Sequence, residues 1–97
     1  MNRIEIRPQA EQEIADAADW YEQRSPGLGA AFVHAVDTAL TTIAEQPLAF
    51  SPVGRGARKF VIHRYPFAII YRATGGSVVV YSCFHGRRNP RRWRERL

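Results

Sequence analysis

The sequence predicts an α+β fold, in which a mostly antiparallel sheet packs on an N-terminal helical hairpin in the order β-α-α-β-β-β. Three observations lead there. Two stretches of the first half repeat apolar residues at helical spacing. Three runs in the second half are short and rich in β-branched and aromatic residues. Glycine and proline punctuate the junctions. Ninety-seven residues, 45% of them hydrophobic, suit one folded domain spanning 1–97 and argue against disorder.

Arg3-Ile4-Glu5-Ile6-Arg7 alternates charged and apolar side chains and reads as a half-buried strand. Pro8 ends it and suits the first turn of a helix. Ala10, Ile14, Ala17, Ala18 and Tyr21 then share one helical face. Ser25-Pro26-Gly27-Leu28-Gly29 is a break with turn chemistry. A second helix carries Leu28, Phe32, Ala35, Val36, Ala39 and Ile43 on one stripe and stops before Pro47. Alanines on both stripes let the two helices approach closely as an antiparallel hairpin. Residues 47–57, with two prolines and two glycines, read as a loop. Strands follow at Lys59–His63, Phe67–Arg72 and Ser77–Phe84, separated by Tyr65-Pro66 and Thr74-Gly75-Gly76. The last two runs are nearly continuous in apolar residues, so Ile70 and Val79 are both expected in the core.

Charge is segregated along this order. Residues 1–50 carry three Arg and eight Asp or Glu, a net −5; residues 51–97 carry eleven Arg or Lys and one Glu, a net +10. Six of the arginines lie in 87–96, directly after the last strand. Dense guanidinium charge at one end of a small fold suits phosphate or an acidic peptide. Arg87, Arg88, Arg91 and Arg92 are too polar for the core and are read as a recognition surface. Trp93 among them can stack on a partner or, with Leu97, anchor a C-terminal turn on the sheet. Trp20 and Phe50 are the candidates for exposed apolar contacts.

Several classes are excluded. There is no P-loop, no dinucleotide fingerprint and no two-histidine metal helix, and His34, His63 and His85 have no ligand spacing, so neither metal nor cofactor is expected. The lone Cys83 excludes an internal disulfide and, inside an apolar run, reads as an inert buried thiol. No run approaches the ~18 apolar residues of a membrane span, and Met1–Ile6 lacks a signal-peptide apolar region, which gives a cytoplasmic expectation. A metal-free ribonuclease would need cations, for which Arg58, Lys59, Arg64 and the arginines of 87–96 are available, and a proton-moving group, for which His63, His85 and Tyr65 are available.

Four pieces, in this order and spacing, carry a family resemblance: Pro8-Gln9-Ala10-Glu11-Gln12-Glu13-Ile14, Trp20 through Gly29, Tyr65-Pro66-Phe67-Ala68-Ile69-Ile70-Tyr71-Arg72, and His85 through Trp93. Over nearly its whole length the chain resembles the RelE/ParE superfamily of bacterial type II toxin-antitoxin toxins, and the ParE branch best. The resemblance implies the RelE/ParE-like fold and a cognate antitoxin that wraps the toxin. DNA would then be met only indirectly, through the antitoxin. ParE-like members poison DNA gyrase; RelE-like members cut mRNA on the ribosome; a third option is a non-toxic module that only binds antitoxin. A RelE-like site uses basic residues on the middle strands and an arginine and an aromatic near the C-terminus. Lys59 and Arg88 match two of those positions, whereas the other strand positions fall near Val61 and Ala68, and no tyrosine stands near Trp93. The departures favour a ParE-like, non-enzymatic reading, with Arg87, Arg88, Arg91, Arg92 and Trp93 meeting the target. Trp20, Phe50, Arg58 and Arg64 are then expected to meet the antitoxin.

Overall fold

The computed structural model describes residues 2–97. Its elements are β1 (Arg3–Ile6), α1 (Pro8–Arg24), α2 (Leu28–Glu45), β2 (Ser51–Gly54), β3 (Ala57–Val61), β4 (Phe67–Thr74), β5 (Ser77–His85) and a single-turn α3 (Arg91–Arg94). Among the described residues no helix is long and apolar enough to cross a membrane. The α+β expectation holds, but the sheet has five strands, in the order β1-β5-β4-β3-β2. β2 to β5 form an antiparallel meander, and β1 joins parallel to β5, with Ile4 opposite Val78.

The helical hairpin forms as its small residues require. Ala10 and Ala17 are buried on α1, and Ala39 and Ala44 on α2. At the tip, a Cβ placed on Gly29 would stand 2.8 Å from the Ala18 carbonyl oxygen, so only glycine allows this approach. Gly27, at φ 92°, turns the chain into α2 and has no side chain to cap the helix. Glu22 supplies the cap instead: its carboxylate accepts from the Gly27 and Gly29 amides at 3.0 and 2.9 Å. Leu28, expected on the buried stripe, is exposed; in this turn it is the neighbouring Gly29 that packs against α1.

Alternation along the strands sends side chains into two cores. Toward the helices point Ile69, Tyr71, Val78, Val80 and Cys83, packed with Phe32, Val36, Ala39 and Ile43. An aromatic cluster of Tyr21, Phe32, Tyr65 and Phe67 closes one end, with Phe32 5.1 Å from Tyr65 and 5.2 Å from Phe67. Toward the other face point Ala57 and Ile70, which pack with Trp93, Phe84, Val53 and Leu97. A bulge in β5 leaves Tyr81 unpaired between Val80, opposite Tyr71, and Ser82, opposite Ile70. It changes the phase, so that Val80 and Cys83, three residues apart, both enter the helix-side core.

Two strand assignments differ from the sequence reading. Residues 51–54 form β2 rather than loop; Pro52 is compatible because β2 is an edge strand whose outer side needs no ladder bond. β3 runs over Ala57–Val61 rather than 59–63, since Arg64 at φ 69° belongs to the turn into β4. Val79 is only half-buried: it flanks the fully buried Val78 and Val80 and points to the less covered face.

Candidate functional site

The arginine-rich segment 86–97 crosses the face of the sheet that the helices leave open. β5 hands the chain over at Gly86, whose amide bonds the Pro66 carbonyl at 2.8 Å. The Asn89 side chain accepts from the Arg91 amide at 3.0 Å and starts α3. α3 then drops the Trp93 ring into the smaller core, 5.7 Å from Phe84. Trp93 is 4% exposed, so it anchors the segment and is not presented with the arginines. Of the two readings of Trp93, anchoring with Leu97 agrees with the structure, and its place on the exposed target-binding surface is corrected. Its indole Nε1 is buried without an acceptor.

Beside this anchor lies an open groove of about 440 Å³. Its apolar floor is Val53, Val61, Ala68 and Phe84; its rim is Lys59, His85, Arg87 and Arg94, and among the described residues no carboxylate lines it. Val61 and Ala68 are direct partners across the β3–β4 ladder, and Ala68 is in turn opposite Phe84. His85 Nδ1 accepts from the Arg87 amide at 3.1 Å, which leaves Nε2 to carry the proton of the neutral ring. The His85 ring stands edge-on to Phe67 at 5.3 Å. A second cleft, about 490 Å³, opens on the helix side of the Phe67–His85 ridge and is lined by Glu13, Asp16, Trp20, Tyr21 and Arg88 among others.

The structure therefore divides the sequence-derived sets. His85 lines both hollows, sharing the groove with Lys59 and the helix-side cleft with Arg88, so the three possible ribonuclease residues are spread over two adjoining hollows. Of the proposed target-binding arginines, Arg87 rims the groove, Arg88 the helix-side cleft, Arg91 a depression with Arg55, and Arg92 one with Arg7 and Tyr81; all four are exposed. The arginines thus ring the terminal segment and do not form one flat patch. The proposed antitoxin set is also split. Trp20 is 50% exposed on α1, with the Arg24 guanidinium 4.0 Å from its ring centroid. Phe50 is half-buried against Phe60 at 4.7 Å, which corrects its expected exposure. Arg58 donates to the Phe50 carbonyl at 2.8 Å, and Arg64 sits apart on the β3–β4 turn, beside α2.

Sequence reading missed one residue altogether, Glu13. Its Oε1 accepts from the Ser82 hydroxyl at 3.0 Å, the Cys83 amide at 3.1 Å and Arg96 Nη1 at 2.8 Å. Arg96, read as part of a basic tail, is thereby tied inward, and its Nη1 also donates to the Tyr81 carbonyl. A signal was present: Glu13 stands three residues after Ala10 and four before Ala17, on the buried stripe of α1. The adjacent Cys83 thiol is pushed up to about 12 by burial and then by the Glu13 charge, which makes it inert. Burial likewise raises Tyr71, against the lowering effect of Arg58; its hydroxyl donates to the Pro47 carbonyl at 2.7 Å.

Comparison with known proteins adds to this geometry. Residues 4–90 match the family model described as the ParE toxin of the type II toxin-antitoxin system, parDE. Among solved structures, the chromosomal ParDE TA system from P. aeruginosa superposes with a TM-score of 0.74 at 17% identity, covering 88% of this chain and 96% of that chain. At that identity the superposition speaks to the fold. No curated protein matches the chain.

Proposed function

The chain belongs to the ParE toxin family of type II toxin-antitoxin systems, and on that premise we propose that it acts by binding and poisoning DNA gyrase, and that a cognate antitoxin neutralises it. Both partners would place it in the bacterial cytoplasm. The observation that carries the gyrase reading is the pair Val61 and Ala68, side by side on the groove floor. A phosphodiester transition state in that groove would meet methyl groups where cations or proton-moving groups are needed, each worth about 10²-fold or more in rate. Of the cations such a site would use, Lys59 lines the groove and Arg88 the adjoining cleft. Recognition of a protein surface has no such requirement. It is served by a rigid segment presenting arginines on a buried tryptophan anchor.

The same charges favour an acidic antitoxin segment. The groove combines an apolar floor with a cationic rim, which suits a peptide of mixed acidic and apolar side chains. Charge would speed association, and apolar contacts would slow release.

The deciding experiment incubates the purified chain with gyrase and supercoiling substrate, and in parallel with translating ribosomes and mRNA. Loss of supercoiling with mRNA intact is expected. Ribosome-dependent cleavage with gyrase unaffected would instead favour the ribonuclease reading built on Lys59 and His85. Absence of both effects, with antitoxin still bound, would mark a binding module without toxicity.

A further inference from the structure

We propose that Glu13 is a positioning residue for the C-terminal arginines: it holds Arg96, and through Arg96 the whole segment 86–97, against the end of β5. The functional half of this rests on the reading that this segment meets the target.

The sheet itself creates the opening that Glu13 fills. β1 pairs with β5 only from Ser77 to Val80, so the edge of β5 beyond Val80 lacks a neighbouring strand. α1 passes there and places the Glu13 carboxylate where a strand would have been, accepting from the Cys83 amide and the Ser82 hydroxyl. The remaining acceptor capacity takes Arg96, at 2.8 Å to Oε1 and 3.3 Å to Oε2. Arg96 in turn satisfies the Tyr81 carbonyl at the bulge. The pair is 19% and 21% exposed; the other ion pair among the described residues, Arg7–Glu5, is 48% and 58% exposed. Only the first is shielded enough to hold a fixed geometry.

Segment 86–97 has few other ties. Its amide bonds from Trp93 to Leu97 are local, made to carbonyls of residues 90–94. Trp93 supplies a pivot in the smaller core. Arg72 and Arg55 donate to the Leu97 and Arg94 carbonyls at 3.0 and 3.3 Å. Trp93, Leu97 and these backbone ties hold the segment to the open face of the sheet, and Arg96–Glu13 is its ion pair to α1, which sets how the turn lies across the end of β5. A recognition surface binds better when its groups are held in place beforehand. Releasing the tie therefore weakens action while every exposed arginine remains.

The test uses full-length Arg96→Gln, Glu13→Gln, the double variant and Arg96→Lys. Arg96→Gln leaves the Glu13 bonds to β5 in place, so it keeps the fold even if Glu13→Gln does not. The first readout is amide exchange, which presupposes no target. Exchange at Trp93–Leu97 should quicken about tenfold or more in Arg96→Gln, the scale of a lost charged hydrogen bond, while Val78–Cys83 stays protected. The second readout is growth arrest on induction, which should need about tenfold more protein, again on that scale. The double variant should be no worse than the weaker single one, and Arg96→Lys should recover part of both effects. Unchanged exchange in Arg96→Gln overturns the proposal. So does faster exchange with undiminished growth arrest. A wild-type chain that arrests growth without touching gyrase would sink the gyrase reading alone and leave both readouts valid.

Discussion

On the helix side of the sheet, Phe32, Ile69, Tyr71, Val78 and Val80 are fully buried and joined by a cluster of aromatic rings. On the other side the buried apolar residues are Ala57, Ala68, Ile70 and Trp93, and arginines surround them. One strand serves both: β4 sends Ile69 and Tyr71 one way and Ile70 the other. The difference separates two tasks. A domain of this size has limited core, and here most of it is placed under the helices, where the fold is held. The smaller core needs only to seat one tryptophan. The surface around it is then open to carry charge, because little of the folding free energy depends on it.

The largest expected effect lies on the helix side. Phe32→Ala should lower stability by about 3–5 kcal/mol, as large aromatic truncations in packed cores do; a urea titration measures it. Ile70→Ala removes a smaller, aliphatic group on the other side. Its cost should be about 2–3 kcal/mol, toward the low end for such truncations, because the terminal segment can settle into the space. Equal losses for the two variants would break the comparison.

Changing Arg87, Arg88, Arg91 and Arg92 together to Ala should shift stability by no more than about 1 kcal/mol, since all four are exposed and form no ion pair among the described residues. Supercoiling inhibition should nonetheless be lost. A thermal melt and a gyrase assay on the same preparation check both halves, and an unfolded variant would contradict the division of tasks. The smallest effect appears only in alkali. The Cys83 thiol ionises near 9 when unfolded and near 12 when folded, so between those values the unfolded chain releases its proton first. Stability should fall as pH rises above about 9 and be unaffected by this group below it. Burial also raises Tyr71 and Tyr21, Tyr21 further through Tyr65, which adds to the slope in the same direction. Cys83→Ala, compared with the parent chain in stability measurements from pH 8 to 11, isolates the thiol contribution; identical slopes would show that Cys83 has no part in it.

The helical hairpin was legible because Ala10, Ala17, Phe32, Val36 and Ile43 repeat at a spacing that only one local structure satisfies. β4 and β5 were legible for a similar reason. β2 was not: Ser51-Pro52-Val53-Gly54 carries two residues that disfavour a strand, and only its place at the sheet edge makes them acceptable. The apolar groove positions Val61 and Ala68 could be named from the sequence, yet their adjacency is a matter of ladder register. Phe50 and Trp93 looked like contact residues because exposure is decided by what packs above them, β3 and the smaller core respectively. Arg96 was the hardest case. Among six terminal arginines nothing local distinguishes the one that turns inward, and its partner lies eighty-three positions away.

That β1 pairs with Ser77–Val80 also governs when the molecule can finish folding. During synthesis the hairpin of α1 and α2 emerges first, and its contacts are local. β1 must wait, its place vacant, until the ribosome has made the strand it pairs with. The apolar face of the hairpin waits with it, because Val78, Val80 and Cys83 also belong to that late strand. If the terminal arginines meet a target as proposed, a nascent chain exposes this apolar face before it can act, because those arginines are made after the last strand.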